Sequence, residues 1–309
     1  MIEEKIIVGK GSTYPLNGIL TLPDTANETA QNALPAVVLV HGSGPQDMDE
    51  KVGAVTPFKD IAQALAEKGI AVLRYDKRTK IYGRKMMKQA AEITVYSETI
   101  EDAILATELL RSDSRIGKVF VLGHSMGGML APRIDAEGGN FDGIIIAAGS
   151  LRELRVIMLD QFSDLLDRYK GLIKFIASKQ IDKIVTNFAA IDSLTDDQAK
   201  EKKVIGGTRA YYFKEMEAHP SKYYLESLDK PLFVFQGDRD FQVNPNKDFK
   251  GYKSLLASKP NATLRLYPGL NHVFTNSYKT GTMKDYKVPG TVAQEVTDDI
   301  AEWIWHVAT

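Results

Sequence analysis

The chain has 309 residues, 44% hydrophobic and 26% charged, which suits either one large α/β domain with an insertion or two ordinary domains. Lysine and arginine number 39 against 40 aspartates and glutamates, and the net charge of -1 gives no overall pull toward nucleic acid or an anionic membrane. With 0 cysteines, disulfide staples, thiolate metal sites and cysteine nucleophiles are excluded.

The opening residues MIEEKIIVGKG lack the basic start and long apolar run of a signal peptide, and no stretch approaches the roughly 18 apolar residues of a membrane span. A cytoplasmic protein without a membrane partner is expected. Segments 5–8 and 18–22 suit a hairpin, and the polar run at 24–32 reads as a surface linker. Residues 35–40, PAVVLV, are apolar and β-branched throughout, as in a strand covered on both faces. Residues 57–68 show helical spacing behind a leading proline, and Gly69 ends them. Residues 70–74 form the next buried strand. Residues 97–111 read as a helix with Ser97 at its N-cap. Strands follow at 118–122 and 143–148.

This alternation predicts an α/β fold: a mostly parallel central sheet with helices on both faces. Residues 151–222 break the pattern. They carry helical periodicity and polar turns but no apolar strand run. Strands resume at 231–236 and 262–267, and a helix closes the chain at 291–307. The simplest organisation is a core domain of residues 1–150 and 223–309, interrupted by a helical insertion of about seventy residues. Leu154, Ile157, Phe162, Leu165, Leu166, Ile173 and Ile176 lie at roughly helical spacing in that insertion and are expected to pack together or onto the core.

Residues 123–127 read Gly123-His124-Ser125-Met126-Gly127, a G-x-S-x-G motif between a strand and the start of a helix. A serine at such a turn sits on strained backbone with its hydroxyl above the sheet. The flanking glycines remove Cβ atoms where strand and helix cross closely. Five residues alone are a weak signal, and an ordinary glycine-rich turn is the bland alternative. The strand before and the helix after it favour a nucleophile.

A serine hydroxyl needs a base, and there are 5 histidines. His41 precedes a glycine in the loop after the first buried strand and suits a structural role. His124 adjoins the serine and should point away from it. His219 ends the insertion, and His306 suits packing in the last helix. His272, in the loop after the last strand, remains as the base. A carboxylate should steady it, in the chain order serine, acid, histidine. Asp238 and Asp240 both leave the end of the strand at 231–236, where α/β sheets place their ligands, and spacing alone does not separate them. The oxyanion needs two backbone N–H donors: Met126, after the nucleophile, and Ser43 in the loop His41-Gly42-Ser43-Gly44-Pro45.

Together HGSGP at 41–45, RYDKR at 74–78, GHSMGG at 123–128, QGDRDFQV at 236–243 and GLNH at 269–272 resemble the α/β-hydrolase superfamily. HGSGPQD with RYDKRT is similar to bacterial carboxylesterases and acyl hydrolases of the dienelactone-hydrolase-like or acylaminoacyl-peptidase-like group. The resemblance covers residues from about 35 to 309. It implies a G-x-x-D-x-x-V acid, which Gly237, Asp240 and Val243 match, and so selects Asp240. It also implies that residues 151–222 cap the active site. The acyl-peptidase relatives usually carry a large N-terminal propeller, for which this chain has no room, so the resemblance favours an esterase.

No H-E-x-x-H or similar cluster suggests a metal, and the chemistry needs no cofactor. Gly9-Lys10-Gly11-Ser12-Thr13 lacks phosphate-loop spacing. The six basic residues between Lys77 and Lys88 could draw an anionic substrate, but such a run is more often a solvated loop. The expectation is hydrolysis of small carboxylic esters with short acyl chains. Acyl-peptide or amide cleavage by the same groups is the enzymatic alternative, and a binding protein on this fold the non-enzymatic one.

Overall fold

The computed structural model describes residues 1–27, 33–277 and 281–309, so part of the linker expected at 24–32 lies outside the described residues. Strands β1 (Ile2–Val8) and β2 (Leu16–Leu22) form the N-terminal hairpin. Then come β3 (Leu34–Val40), α1 (Pro57–Glu67), β4 (Ala71–Tyr75), α2 (Arg78–Met86) and α3 (Glu101–Ser112). They are followed by β5 (Ile116–His124), α4 (Met126–Ile134) and β6 (Gly143–Ala147).

The insertion contributes α5 (Leu154–Arg168), α6 (Gly171–Ala189), α7 (Asp196–Glu201), β7 (Lys203–Ile205), β8 (Thr208–Arg209), α8 (Ala210–Glu217) and α9 (Ser221–Glu226). The chain ends with β9 (Leu232–Gly237), α10 (Asp248–Leu255), β10 (Ala262–Tyr267) and α11 (Gln294–Ala308).

The eight-stranded sheet has the order β1-β2-β4-β3-β5-β6-β9-β10. From β4 to β10 every neighbour pairs in parallel, and β2 runs against both of its neighbours. Alternation along β3 shows how the sheet is covered. Ala36, Val38 and Val40 pack on the face that holds α3 and α4, with Ala103, Ala106, Leu130 and Ile134. Val37 and Leu39 pack on the other, with Phe58 and Leu65 of α1 and Ile300 and Ile304 of α11. Side chains of a strand alternate between faces, so a strand buried on both has no polar position to spare. Each valine, leucine or isoleucine among them contributes about 1.5–3 kcal/mol of burial.

Several expectations need correction. The helix expected from Ser97 begins earlier: a wide helical turn at Tyr96–Ile100 leads into α3. Thr94 Oγ1 accepts from Ser97 N at 3.2 Å while Ser97 Oγ accepts from Thr94 N at 3.0 Å, so Thr94 holds the capping position. The basic run at 77–88 is not a solvated loop. It forms α2, and Lys77 and Arg78 at its head are buried. The insertion contains the two-stranded ribbon β7–β8 as well as helices. Its α5–α6 hairpin is anchored at one end, where Ile157 and Phe188 are buried, while Ile173 and Ile176 are exposed rather than packed.

Candidate active site

Ser125 stands between β5 and α4 at φ 54° and ψ −116°, a left-handed φ that disfavours any residue with a Cβ. The crossing around it is tight. A Cβ on Gly123 would lie 2.2 Å from the Gly127 carbonyl oxygen, and one on Gly127 would lie 2.2 Å from that of Val40. Substitution at either glycine would push the strand, the helix or the neighbouring loop apart. The amide of Ser125 donates to Ala147 O of β6 at 2.8 Å, which fixes the turn over the middle of the sheet.

Asp240 follows β9 and His272 follows β10, both in loops at the sheet edge that carries Ser125. His272 Nδ1 and Asp240 Oδ2 are 2.8 Å apart, and both side chains are buried. Asp240 is locked by other donors: Gln242 N at 2.8 Å and Val243 N at 2.9 Å on Oδ1, and Gln236 Nε2 at 3.0 Å on Oδ2. Asp238 goes elsewhere. It is exposed, and its Oδ1 accepts from Gly269 N at 2.7 Å. The structure thus brings Asp240, and not Asp238, to His272. With Nδ1 facing a carboxylate, the ring's Nε2 is the nitrogen left to take up a proton.

The other histidines are accounted for. His41 contacts Asp47 O through Nε2 at 3.0 Å, and burial pushes its pKa down to about 4, so the ring stays neutral. His124 lies beneath the serine. Its Nε2 bonds the carbonyl of His272 at 2.9 Å, and its Nδ1 lies 2.9 Å from Glu50 Oε2. Burial opposes charge on His124, but Glu50 outweighs it and holds the imidazole above its ordinary value. Burial likewise opposes charge on Glu50, and His124 holds it below. The two therefore form an ion pair under the site. His219 bonds Glu215 O at 2.9 Å on the insertion, and His306 is exposed on α11.

The loop after β3 presses against the nucleophile: a Cβ on Gly42 would lie 3.2 Å from Ser125 Cβ. Ser43, Ser125 and Met126 line one cavity of about 30 Å³. Neither the Ser43 nor the Met126 amide donates to another described residue. Met126 is the first residue of α4, where helix N–H groups have no intrahelical acceptor and the dipole is positive. Leu154, Ile157, Met158 and Gln161 of α5 line this cavity too, together with Val243. An adjoining cavity of about 250 Å³ shares Ser43, Met126, Leu154 and Met158 and extends to Glu98 and Tyr212. Among the described residues no group of three or more histidine, cysteine or carboxylate side chains could hold a metal. No described helix is long and apolar enough to cross a membrane.

Nothing in the sequence marks Glu50, Lys77 and Glu98 as buried side chains behind the site, where they lie. The motif RYDKR contains Lys77, but nothing in it marks that lysine as buried.

Residues 31–277 match the family described as serine aminopeptidase, S33. Esterase EstD of Thermotoga maritima is 34% identical over 303 residues, spanning 98% of this chain and 67% of that protein. Among solved structures, Est1E from Butyrivibrio proteoclasticus superposes with a TM-score of 0.60 at 14% identity, covering 98% of each chain. A Pyrococcus furiosus esterase gives 0.60 at 14% identity over 100% of this chain and 92% of the other. A proline iminopeptidase from Mycobacterium smegmatis gives 0.58 at 15% identity over 99% of each. The structural likenesses establish the α/β-hydrolase fold, and the match over most of the sequence establishes the family: this chain belongs to the S33 serine hydrolases of the α/β-hydrolase superfamily.

Proposed function

We propose that this chain hydrolyses small carboxylic esters through a covalent acyl-enzyme, with Ser125 as nucleophile, His272 as base and Asp240 as acid. The observation that carries the proposal is the buried Asp240–His272 contact of 2.8 Å at the sheet edge where Ser125 stands on strained backbone. Ser125 Oγ attacks the ester carbonyl carbon, and its proton passes to His272 Nε2. The N–H groups of Ser43 and Met126 hold the resulting oxyanion. Asp240 steadies the imidazolium. The intermediate expels the alcohol, which takes the proton from His272, and water then repeats the sequence on the acyl-enzyme.

Residues 151–222 act as a cap in this proposal, which is supported by the four α5 side chains that line the cavity at Ser125. A roof excludes water and strengthens the oxyanion contacts. Its nearness also limits acyl length. The name of the Thermotoga relative agrees in reaction class.

The cavity favours esters over the free-amine substrates of an aminopeptidase. None of the residues lining it at Ser125 is acidic, whereas binding an α-ammonium calls for a carboxylate. Glu98 in the adjoining cavity is already engaged by Lys77, Thr79 and Tyr212. The cysteine-free composition fits a reducing compartment, and a cytoplasmic setting is part of the proposal.

Two measurements test it. A fluorophosphonate probe should label the wild-type chain at Ser125, and p-nitrophenyl acetate should turn over faster than the matching anilide. A binding protein on this fold would show neither label nor turnover, and faster anilide cleavage would favour an amidase.

A further inference from the structure

The peptide between Gly42 and Ser43 is gripped from behind. Lys77 follows β4 and is 2% exposed, and its Nζ donates to the Gly42 carbonyl at 2.9 Å. That carbonyl and the Ser43 N–H belong to one trans peptide plane and point in opposite directions. Fixing the oxygen therefore fixes where the N–H points. The preceding peptide is pinned as well, since Gly42 N donates to Glu50 Oε1 at 2.8 Å. A cation on an amide oxygen also draws electron density from the N–H of the same amide and strengthens it as a donor.

A buried ammonium is costly unless paired. Its partner is Glu98, whose Oε1 lies 3.4 Å from Lys77 Nζ and accepts from Thr79 Oγ1 at 3.2 Å. Glu98 Oε2 accepts from the hydroxyl of Tyr212, which α8 brings from the insertion. A continuous polar chain thus runs Tyr212–Glu98–Lys77–Gly42, from the inserted helices to the loop beside Ser125. A buried ion pair is weak as a source of stability, and packed apolar side chains often replace one without loss. The position of this one, on the carbonyl of a single functional amide, gives the charge a use that stability alone does not.

We propose that Lys77 is a positioning residue: its ammonium aims and polarises the Gly42–Ser43 peptide so that the Ser43 N–H meets the developing oxyanion, and Glu98 and Tyr212 tie that setting to the cap. This rests on the acyl-enzyme reading above. An oxyanion donor acts mainly in the transition state, so the effect belongs in kcat and not in KM.

The test compares Lys77→Met with the charge-neutral pair Lys77→Met/Glu98→Gln, which leaves no unpaired buried carboxylate if the single variant fails to fold. Tyr212→Phe is the mildest of the set. In the folded lysine variants, kcat on p-nitrophenyl acetate should fall about 10²–10³-fold, the worth of one oxyanion donor, with KM within about threefold. The affinity for phenylboronic acid, which forms a tetrahedral adduct on the serine, should weaken in parallel. Tyr212→Phe should lower kcat by a smaller factor, about threefold to tenfold, again without moving KM. A folded double variant with kcat within about threefold of wild type, or with the loss in KM alone, overturns the role of Lys77. Unchanged kcat in Tyr212→Phe overturns the link to the cap. Ser125→Ala, measured alongside, keeps the two ideas apart: if it retains turnover, the acyl-enzyme reading fails, whatever the lysine variants do.

Discussion

Replacing Asp240 by asparagine changes the hydrogen-bond polarity of the site at a single atom. The carboxylate accepts from Gln242 N at 2.8 Å and Val243 N at 2.9 Å on Oδ1, and from Gln236 Nε2 at 3.0 Å on Oδ2, where His272 Nδ1 also lies at 2.8 Å. Backbone N–H groups cannot reverse, so the asparagine carbonyl must occupy the Oδ1 position. Its NH₂ then faces Gln236 and His272. Gln236 cannot simply flip, because its Nε2 also donates to Val243 O at 2.8 Å. His272 can meet the NH₂ only with a bare Nδ1, which moves its proton to Nε2, where the Ser125 proton has to go.

The expected loss in kcat is about 10⁴-fold, the size documented for this change in a protease with the same groups. That corresponds to about 5.4 kcal/mol of transition-state stabilisation. One mismatched buried pair should cost the fold about 1–3 kcal/mol, so thermal denaturation should still show a cooperative transition. Asp238→Asn is the control. Its bond to Gly269 N needs only an acceptor, which the amide carbonyl supplies, so turnover should stay within about twofold. The assay is kcat/KM on p-nitrophenyl acetate for both variants side by side. More than about a tenth of wild-type activity in Asp240→Asn, or greater damage from Asp238→Asn, refutes the reasoning.

Ser125→Ala should lower turnover by about 10⁴–10⁶-fold with little change in Tm, and retention of a tenth or more of the activity counts against the nucleophile. Across p-nitrophenyl esters, kcat/KM should peak at an acyl chain of about two to four carbons, each fitting methylene adding about 0.8 kcal/mol at most. Met158→Ala should move the peak to longer chains, and a steady rise through eight carbons in the wild type rules out the closed roof. The Glu50–His124 pair predicts a stability window. Glu50 is held below its ordinary 4.5, so its contribution is present above that pH and lost as pH falls; His124 is held above 6.5, so its contribution is complete below that pH and lost as pH rises. The stability difference between wild type and Glu50→Gln/His124→Asn, from denaturant melts, should therefore be largest between about pH 4.5 and 6.5, and continued growth of that difference from neutral to alkaline pH contradicts the pairing.

The turn at Ser125 is readable in the sequence because its constraints are local: an apolar run, two glycines at fixed offsets and a helix start all fall within a dozen or so residues. His272 is readable by elimination among few histidines. Asp240 is harder. It and Asp238 leave the same strand end, and which of them faces His272 depends on how β9 pairs with β10, so the family pattern separates them where spacing does not. Lys77 is unreadable for a stronger reason. In the chain it heads a basic run like any solvated segment, and its burial depends on Glu98 from another element. The exposure of Ile173 and Ile176 escapes periodicity too, because a helical stripe says that a face exists but not whether anything covers it.

The first turns of α5 carry Leu154, Ile157, Met158 and Gln161 over Ser125, directly after a clasp in which Arg152 binds Asp248 through both carboxylate oxygens at 2.8 Å and Asp160 at 2.7 Å. Lys247 closes the clasp on Asp160 at 2.8 Å. The far end of the α5–α6 hairpin takes no part in that cavity. On the proposed cap role, substrate choice rests on a few positions of one clasped helix and not on the outer hairpin. Swapping hairpin tips between relatives should change surface behaviour and leave the acyl-chain profile intact, whereas exchanging residues 154–161 alone should carry the profile with them.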